Sequence, residues 1–347
     1  MAKKLFDFCI GNPPYNEDFN NSGDNKGYAA PVYDRFMDAA FEIADGVELI
    51  HPARFLFNAG STPKAWNRKM LNDPHFKVLK YEENATAVFP NTDIKGGVAI
   101  TYRDERYNYG PIDVFTKYPE MNSILHKITA VSGSYLSEIG VSSYAYHFTD
   151  EMLDENPHVL TQMSKGHAND LKSSVFEKTT GIFFDSDPGD EEYARIIGRL
   201  KNERVTKYIK RRYLNDVVNF YKYKLFIAKA NGSGTFGETL APPILGEPGV
   251  GSTETFLSFG SFNTPGEAQN LSKYIKAKMV RALLGILKTT QDVTPDKWKY
   301  VPIQDFTEFS DIDWKKSVHE IDLQLYRKYK LSKEEIDFIE NNVKEMV

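Results

Sequence analysis

Close to the start of the chain an apolar run, Leu5 to Ile10, is stopped by Gly11-Asn12-Pro13-Pro14. Proline has a locked φ and no backbone N–H, so two in succession cannot extend a hydrogen-bonded ladder. The run therefore reads as a short buried strand that delivers a rigid loop. Val32, Phe36, Ala39, Ala40 and Ile43 then recur at helical spacing, and Gly46 introduces the apolar segment VELI, followed by HPARFLF. Strand, helix, strand is the pattern of a parallel pair joined by a crossover. Ser61-Thr62-Pro63 starts a helix expected to run to about Leu71, with proline at its first position, and FKVLKYEE and GGVAITYR follow as strands. Residues 1–108 are expected to be part of an α/β sheet with helices on its faces.

The chain has 347 residues, enough for two domains and their cores. From about Tyr109 the regular alternation breaks down, and two loops rich in Gly, NGSGTFGE and LGEPGVGSTE, appear. A mixed α+β domain is expected over 109–310, followed by C-terminal helices over 311–347. Thr264-Pro265-Gly266-Glu267 has the form of a capping box and should open one long helix to about Lys288. On it Leu271, Ile275, Met279, Ala282, Leu283 and Ile286 form an apolar stripe, with Lys273, Lys276, Arg281 and Lys288 roughly opposite. That side reads as a solvated basic face or as a phosphate-contacting one. Two tail helices are expected, about Trp314 to Tyr329 and Ser332 to Met346.

Several function classes are excluded at this level. No apolar run approaches the roughly 18 residues of a membrane-spanning helix, and the N-terminus lacks a signal peptide's apolar core and cleavage site. The one cysteine, Cys9, permits neither a disulfide framework nor a thiolate zinc cage, which fits a reducing cytoplasm. The seven histidines show no ligand spacing, and no metal site is expected. The net charge of -5 excludes a bulk polycation, so any nucleic-acid binding must come from local patches. Two exist. Seven Lys/Arg stand against Glu203 between Arg199 and Arg212, and five basic residues with no acid lie between Ala268 and Lys288. Acids concentrate elsewhere, five of them among the eight residues Asp185 to Glu192.

The chemistry is carried by Asn12-Pro13-Pro14-Tyr15. The Asn12 side chain and the Pro13 carbonyl can be fixed as two acceptors beside the ring of Tyr15, expected to be exposed. Such a clamp suits a planar amine attached to an aromatic ring. Accepting hydrogen bonds from both its protons favours the pyramidal form whose lone pair can attack. Tyr15 would hold the ring by stacking. The plain alternative is a proline turn capping a strand.

FDFCIGNPPY resembles motif IV of the amino-group methyltransferases that use S-adenosylmethionine, in its adenine-N6 version. Ala87 to Thr101, AVFPNTDIKGGVAIT, is similar to motif VIII of that family. There an aromatic residue packs the far side of a flipped base, and Phe89 is the residue that matches; its alternative is an ordinary core aromatic. FIAKANGSGTFGE, GEPGVGSTETF, KYIKAKMVRALLGILKTTQD and WKYVPIQDFTEFSDIDW resemble the target-recognition region and C-terminus of methylases that combine a gamma-class methylase with a restriction enzyme. The resemblance implies a partial Rossmann-like methyltransferase sheet over 1–108, motif IV to VIII, and a DNA target-recognition domain over 109–310. It implies a site-specific DNA adenine-N6 methyltransferase acting on a base flipped out of double-stranded DNA, at a cost of a few kcal/mol of unstacking.

One departure from that family matters. Its glycine-rich cofactor motif precedes motif IV by about a hundred residues, whereas eleven residues precede Asn12. The one Gly-x-Gly-x-x-Gly match, Gly232 to Gly237, is followed by ETLAPPILGEPG, whose prolines forbid the helix such a fingerprint must open. It reads as a loop. The main S-adenosylmethionine motif is therefore expected outside this sequence, on an upstream segment or subunit, and a restriction nuclease is an admissible further partner. Lys207, Lys210, Arg211, Arg212, Lys229 and Asn231 are the candidates for DNA contact, each also readable as a surface residue. The competing readings are a glutamine or RNA methyltransferase, and a non-catalytic DNA-binding specificity module.

Overall fold

The computed structural model describes residues 4–16, 30–90, 94–179 and 181–346. Asn91, Thr92 and Asp93, within the segment similar to motif VIII, lie outside the described residues. The chain divides into two compact units, Met1–Asn122 and Ser123–Val347. Both combine helices and strands, so the class is mixed α/β with several sheets.

The first unit begins with strand β1 (Phe6–Gly11), helix α1 (Tyr33–Ile43) and strand β2 (Ala44–Pro52). β1 and β2 are parallel, with Phe8 opposite Gly46 and Ile10 opposite Glu48. Helix α2 (Lys64–Leu71) follows, starting one residue after Pro63. β3 (Phe76–Glu82) and β4 (Val98–Asp104) then complete a sheet of order β1-β2-β4-β3. β4 lies antiparallel between β2 and β3, so the sheet is mixed. The core is built on Met37, Phe55, Met70 and Phe76, all fully buried. Each contributes about 1.5–3 kcal/mol from apolar burial.

Two expectations are corrected here. β1 is an edge strand, not a buried one. Cys9 packs against the core, but Phe6, Phe8 and Ile10, on the opposite face by strand alternation, are 56%, 60% and 77% exposed. Hydrophobicity alone cannot separate a covered strand from an uncovered one. The buried face of α1 is also turned by one residue from the expected stripe. Tyr33, Met37 and Ala40 face inward, Tyr33 against the Phe55 and Trp66 rings, and Phe36 stays exposed. Asp38 on α1 accepts from Trp66 Nε1 at 3.1 Å and so ties α1 to α2.

The division between units falls inside helix α3 (Pro119–Thr129). The second unit continues with β5 (Gly140–Val141), the short helices α4 (Asp150–Glu155), α5 (Val159–Gln162) and α6 (Val175–Lys178), and the hairpin β6 (Tyr193–Leu200) and β7 (Glu203–Lys210). Lys201 and Asn202 turn that hairpin with φ of 50° and 67°, the left-handed pair that matches strand twist. β8 (Tyr223–Ala228), β9 (Ile244–Gly246), β10 (Val250–Ser252) and β11 (Phe256–Phe262) complete two sheets, β10-β6-β7 and β5-β11-β8-β9.

The Thr264–Glu267 capping box is present, but the long helix is two: α7 (Pro265–Lys276) and α8 (Lys278–Leu287), broken at Ala277, where ψ is 141°. The Asp322 carboxylate accepts from Lys278 N–H at 2.8 Å and Met279 N–H at 3.0 Å, capping α8 from a distant part of the chain. The expected solvated basic face is also absent at two positions. Arg281 and Lys288 are 2% and 3% exposed, Arg281 donating to the Lys276 carbonyl at 3.0 Å and Lys288 paired with Glu238. The tail helices are α9 (Val318–Lys328) and α10 (Lys333–Asn342), both shorter than expected: α9 starts late, where Ser317 closes a capping box with Glu320, and α10, capped by Ser332 with Glu335, ends at Asn342. No helix among the described residues is long and apolar enough to cross a membrane.

Candidate functional site

Asn12 to Tyr15 leave the C-terminal end of β1 without regular structure. A bridge between Asn16 and Pro31, and the Val32 N–H donated to the Tyr15 carbonyl at 3.0 Å, hold the far end of the loop. Asn12 and Pro14 are exposed and Pro13 is half-buried, which leaves the Asn12 side chain open to an incoming donor. Ligands of open α/β sheets bind at the carboxyl ends of parallel strands, where this loop stands.

Tyr15, expected to be exposed, is half-buried, because its ring packs against the core and against Phe89. Its hydroxyl is buried without a hydrogen-bond partner among the described residues. Burial raises the phenol above its ordinary pKa. The Tyr15 and Phe89 ring centroids are 6.3 Å apart at 73°, an edge contact. A base held between parallel rings needs a gap of about 7 Å, twice a carbon contact distance of ~3.5 Å. A sandwiched base thus requires one ring to turn.

Beside Tyr15 lies a cavity of about 300 Å³ whose lining includes Tyr33, Arg54, Ser61 and Lys95. Tyr33 stacks on His51 at 5.9 Å and 5°, and burial pushes its phenol up to about 12. His51 is fully buried and hydrogen-bonded to Thr101 Oγ1 at 2.7 Å, and burial pushes its imidazole down to about 4. It is therefore neutral at pH 7 and serves as a platform under Tyr33. Tyr33, His51 and Arg54 are not singled out by the sequence; VELI-HPAR, a strand running into polar residues, is the one signal that could have marked them. No group of three His, Cys, Asp or Glu placed to hold a metal ion occurs among the described residues.

In the second unit the candidate DNA-contact residues are largely engaged within the protein. Lys207 pairs with Asp185, and Lys210 with Glu191 at 2.6 Å. Arg211 is 8% exposed, donates to the Leu214 carbonyl at 2.7 Å, pairs with Asp216 and stacks on Phe220. Arg212 pairs with Glu151, Glu155 and Glu191. Asn231 is 3% exposed, donating to the Ala228 carbonyl and accepting from Ala241 N–H at 2.6 Å. Lys229 donates to the Tyr144 hydroxyl at 2.6 Å and lies over that ring.

The Gly232–Gly237 loop closes on the protein's own anion. Glu238 accepts from Ser233 N–H at 2.8 Å and Gly234 N–H at 2.9 Å and pairs with Lys288. A Cβ on Gly237 would lie 2.1 Å from the Asn342 carbonyl. The N–H groups a phosphate would need are taken, so these residues do not fit the phosphate cradle of a dinucleotide, and they open no helix that could hold S-adenosylmethionine in the manner of a glycine turn.

Residues 1–89 match the family model of the Eco57I restriction-modification methylase. No curated protein matches. Among solved structures, the type IIG restriction endonuclease BpuSI is 11% identical over 91% of this chain and 48% of that one, with a TM-score of 0.32. The type IIL restriction-modification enzyme MmeI in complex with DNA is 10% identical over 96% of this chain and 56% of that one, with a TM-score of 0.32. The ATP-dependent Type ISP restriction-modification enzyme LlaBIII bound to DNA is 10% identical, over 82% of this chain and 28% of that one, with a TM-score of 0.23. This chain spans about half the length of the first two and less of the third.

Proposed function

We propose that this chain is the base-holding and DNA-reading part of a site-specific DNA adenine-N6 methyltransferase of a restriction-modification system. The observation that carries the reading is Asn12-Pro13-Pro14-Tyr15 at the carboxyl end of parallel strand β1, with Asn12 exposed and Tyr15 against Phe89 beside a cavity. The methylase family match over residues 1–89 supports it. In this reading Asn12 and the Pro13 carbonyl accept the two protons of the exocyclic amine, leaving its lone pair available for attack. Tyr15 and Phe89 grip the flipped base, Phe89 turning from its edge contact as the base enters. Residues 1–108 close the base pocket and 109–310 contact double-stranded DNA, with Lys229 the cationic candidate that has no carboxylate partner among the described residues.

The S-adenosylmethionine site belongs, in this proposal, to another segment, in cis or on a second polypeptide. Support comes from the edge of β1, where Leu5, Phe6, Phe8 and Ile10 are all more than half exposed. An uncovered apolar edge strand is a site for association.

Asn12→Ala in the completed enzyme should lower methylation about 10²–10³-fold or more, as loss of a transition-state hydrogen-bonding group does, while DNA affinity stays within a few-fold. Equal losses in both would overturn the role. Calorimetry of the 347-residue chain with S-adenosylmethionine tests the second half of the proposal, which micromolar affinity would contradict.

A further inference from the structure

The cavity beside Tyr15 holds two cations that the proposed reaction does not use. Arg54 and Lys95 both line it; among the described residues no acidic residue does, and neither cation forms an ion pair. A free surface arginine is ordinarily a flexible charge, since its stem carries about 2 kcal/mol of rotamer entropy. Arg54 is held differently. Its stem passes between two glycines, Gly60 with φ 82° and Gly96 with φ 87°. A Cβ at Gly96 would lie 2.5 Å from Arg54 Cγ, and one at Gly60 3.1 Å from Arg54 Cβ. Both positions thus need glycine twice, for the left-handed backbone and for the close approach of the arginine stem.

The two sides of this clamp are also fixed to each other. Ala53 N–H donates to the Gly97 carbonyl at 3.0 Å, joining the Arg54 turn to the loop that carries Lys95 and Gly96. Ala59 N–H donates to the Arg54 carbonyl at 3.1 Å and closes the turn that brings in Gly60 and Ser61. The result is a guanidinium with a packed stem and an exposed head, an ammonium beside it, and the Ser61 hydroxyl on the rim. A planar fork of N–H donors with its stem already ordered binds phosphate oxygens at reduced entropic cost. An aromatic ring, a cation with an ordered stem and a second cation on one cavity match the two halves of a nucleotide, its base and its phosphate.

We infer that Arg54, assisted by Lys95, binds the phosphate of the nucleotide whose base is held at Tyr15. Arg54 is a positioning residue: it sets where the flipped nucleotide sits and takes no part in the chemistry. The inference rests on the proposed base pocket, and it goes further by placing the strand's backbone at the opposite end of that cavity.

The test is a nuclear magnetic resonance titration of the 347-residue chain with deoxyadenosine, deoxyadenosine 5′-monophosphate and inorganic phosphate, following the Gly60, Ser61 and Gly96 amides. The monophosphate should bind at least about tenfold tighter than the nucleoside, the gain expected of a charge-assisted bidentate contact. Arg54→Met, which keeps a stem between the glycines, should erase that difference while leaving nucleoside binding unchanged. Lys95→Met, an exposed substitution that does not disturb the clamp, should remove a two- to threefold part of it, and Arg54→Lys should retain part. Equal binding of nucleoside and monophosphate by the wild type would overturn the phosphate anchor and leave the base pocket standing. An advantage for the monophosphate that survives Arg54→Met would also overturn it. Inorganic phosphate reproducing the shifts at the same affinity would reduce the site to an anion site and overturn the nucleotide assignment. Binding of none of the three would overturn the anchor and the base pocket together.

Discussion

In the second unit the basic run between Arg199 and Arg212 meets acids from Asp185 to Glu192, the segment that leads into β6, and Lys207, Lys210 and Arg212 each end in an ion pair. In the first unit, whose sequence shows no comparable run, Arg54 and Lys95 stand at the rim of a cavity without a carboxylate partner among the described residues. Charge density along a sequence therefore does not show which cations are left without a carboxylate partner. What makes a cation available to a ligand is the lack of a carboxylate near it in space, and a strand pairing can bring such a carboxylate from far along the chain. The same contrast separates the two loops that first draw notice. Gly232 to Gly237 folds around Glu238, whereas Asn12 to Tyr15 leaves the Asn12 side chain uncovered.

The largest effect expected from this contrast is on stability. Lys288→Met should cost the second unit about 3–5 kcal/mol, because it strands a largely buried carboxylate without its cation; urea unfolding measures it. Arg212→Met, at an exposed cluster, should leave the unfolding midpoint near wild type. An equal loss for the two variants would break the distinction between a structural cation and a surface one.

The pH dependence sharpens the same point. Burial opposes the charge of Glu238, but the Lys288 ammonium and two backbone N–H groups outweigh it and bring the carboxyl down from 4.5 to about 2. A carboxyl depressed in the folded state stabilises it fully above its unfolded pKa and loses that contribution as protons bind. The second unit should therefore weaken as pH falls from 4.5 toward 2, and circular dichroism should show Lys288→Met unfolding at higher pH than wild type.

Tyr15→Ala should weaken binding of a flipped base by about 1–3 kcal/mol if stacking is its role. Fluorescence of 2-aminopurine at the target position reports it, and an unchanged signal would place the base elsewhere. The smallest effect concerns salt. A cation on a DNA phosphate steepens the fall of log affinity with log salt by about 0.9 on duplex DNA, and its removal flattens the slope by that amount. Arg54→Met should show such a decrease and Lys210→Met none, and the reverse result would return DNA binding to the basic run.

Much of the first unit was legible because its signals are short in range. Two prolines end a strand wherever they occur, and the β1–α1–β2 order follows from spacing within one segment. The Thr264 cap was legible for the same reason, since residues three apart decide it. The break at Ala277 was not, because the carboxylate that caps α8 is Asp322, 44 residues away. Nor was the Arg54 site, whose clamp joins Gly60 to Gly96 across a helix and a strand.

The sequence by itself determined where backbone geometry is forced: the rigid Asn12–Tyr15 loop, the strand before it, the helix caps, and the inability of Gly232 to Gly237 to open a helix. Tertiary structure alone decided which apolar strand face is covered, which cations are neutralised, and where Tyr15 meets Phe89. Backbone constraints act over one to four residues and are written in residue type. Burial and charge pairing depend on which distant segments come into contact, and a linear pattern does not carry that information.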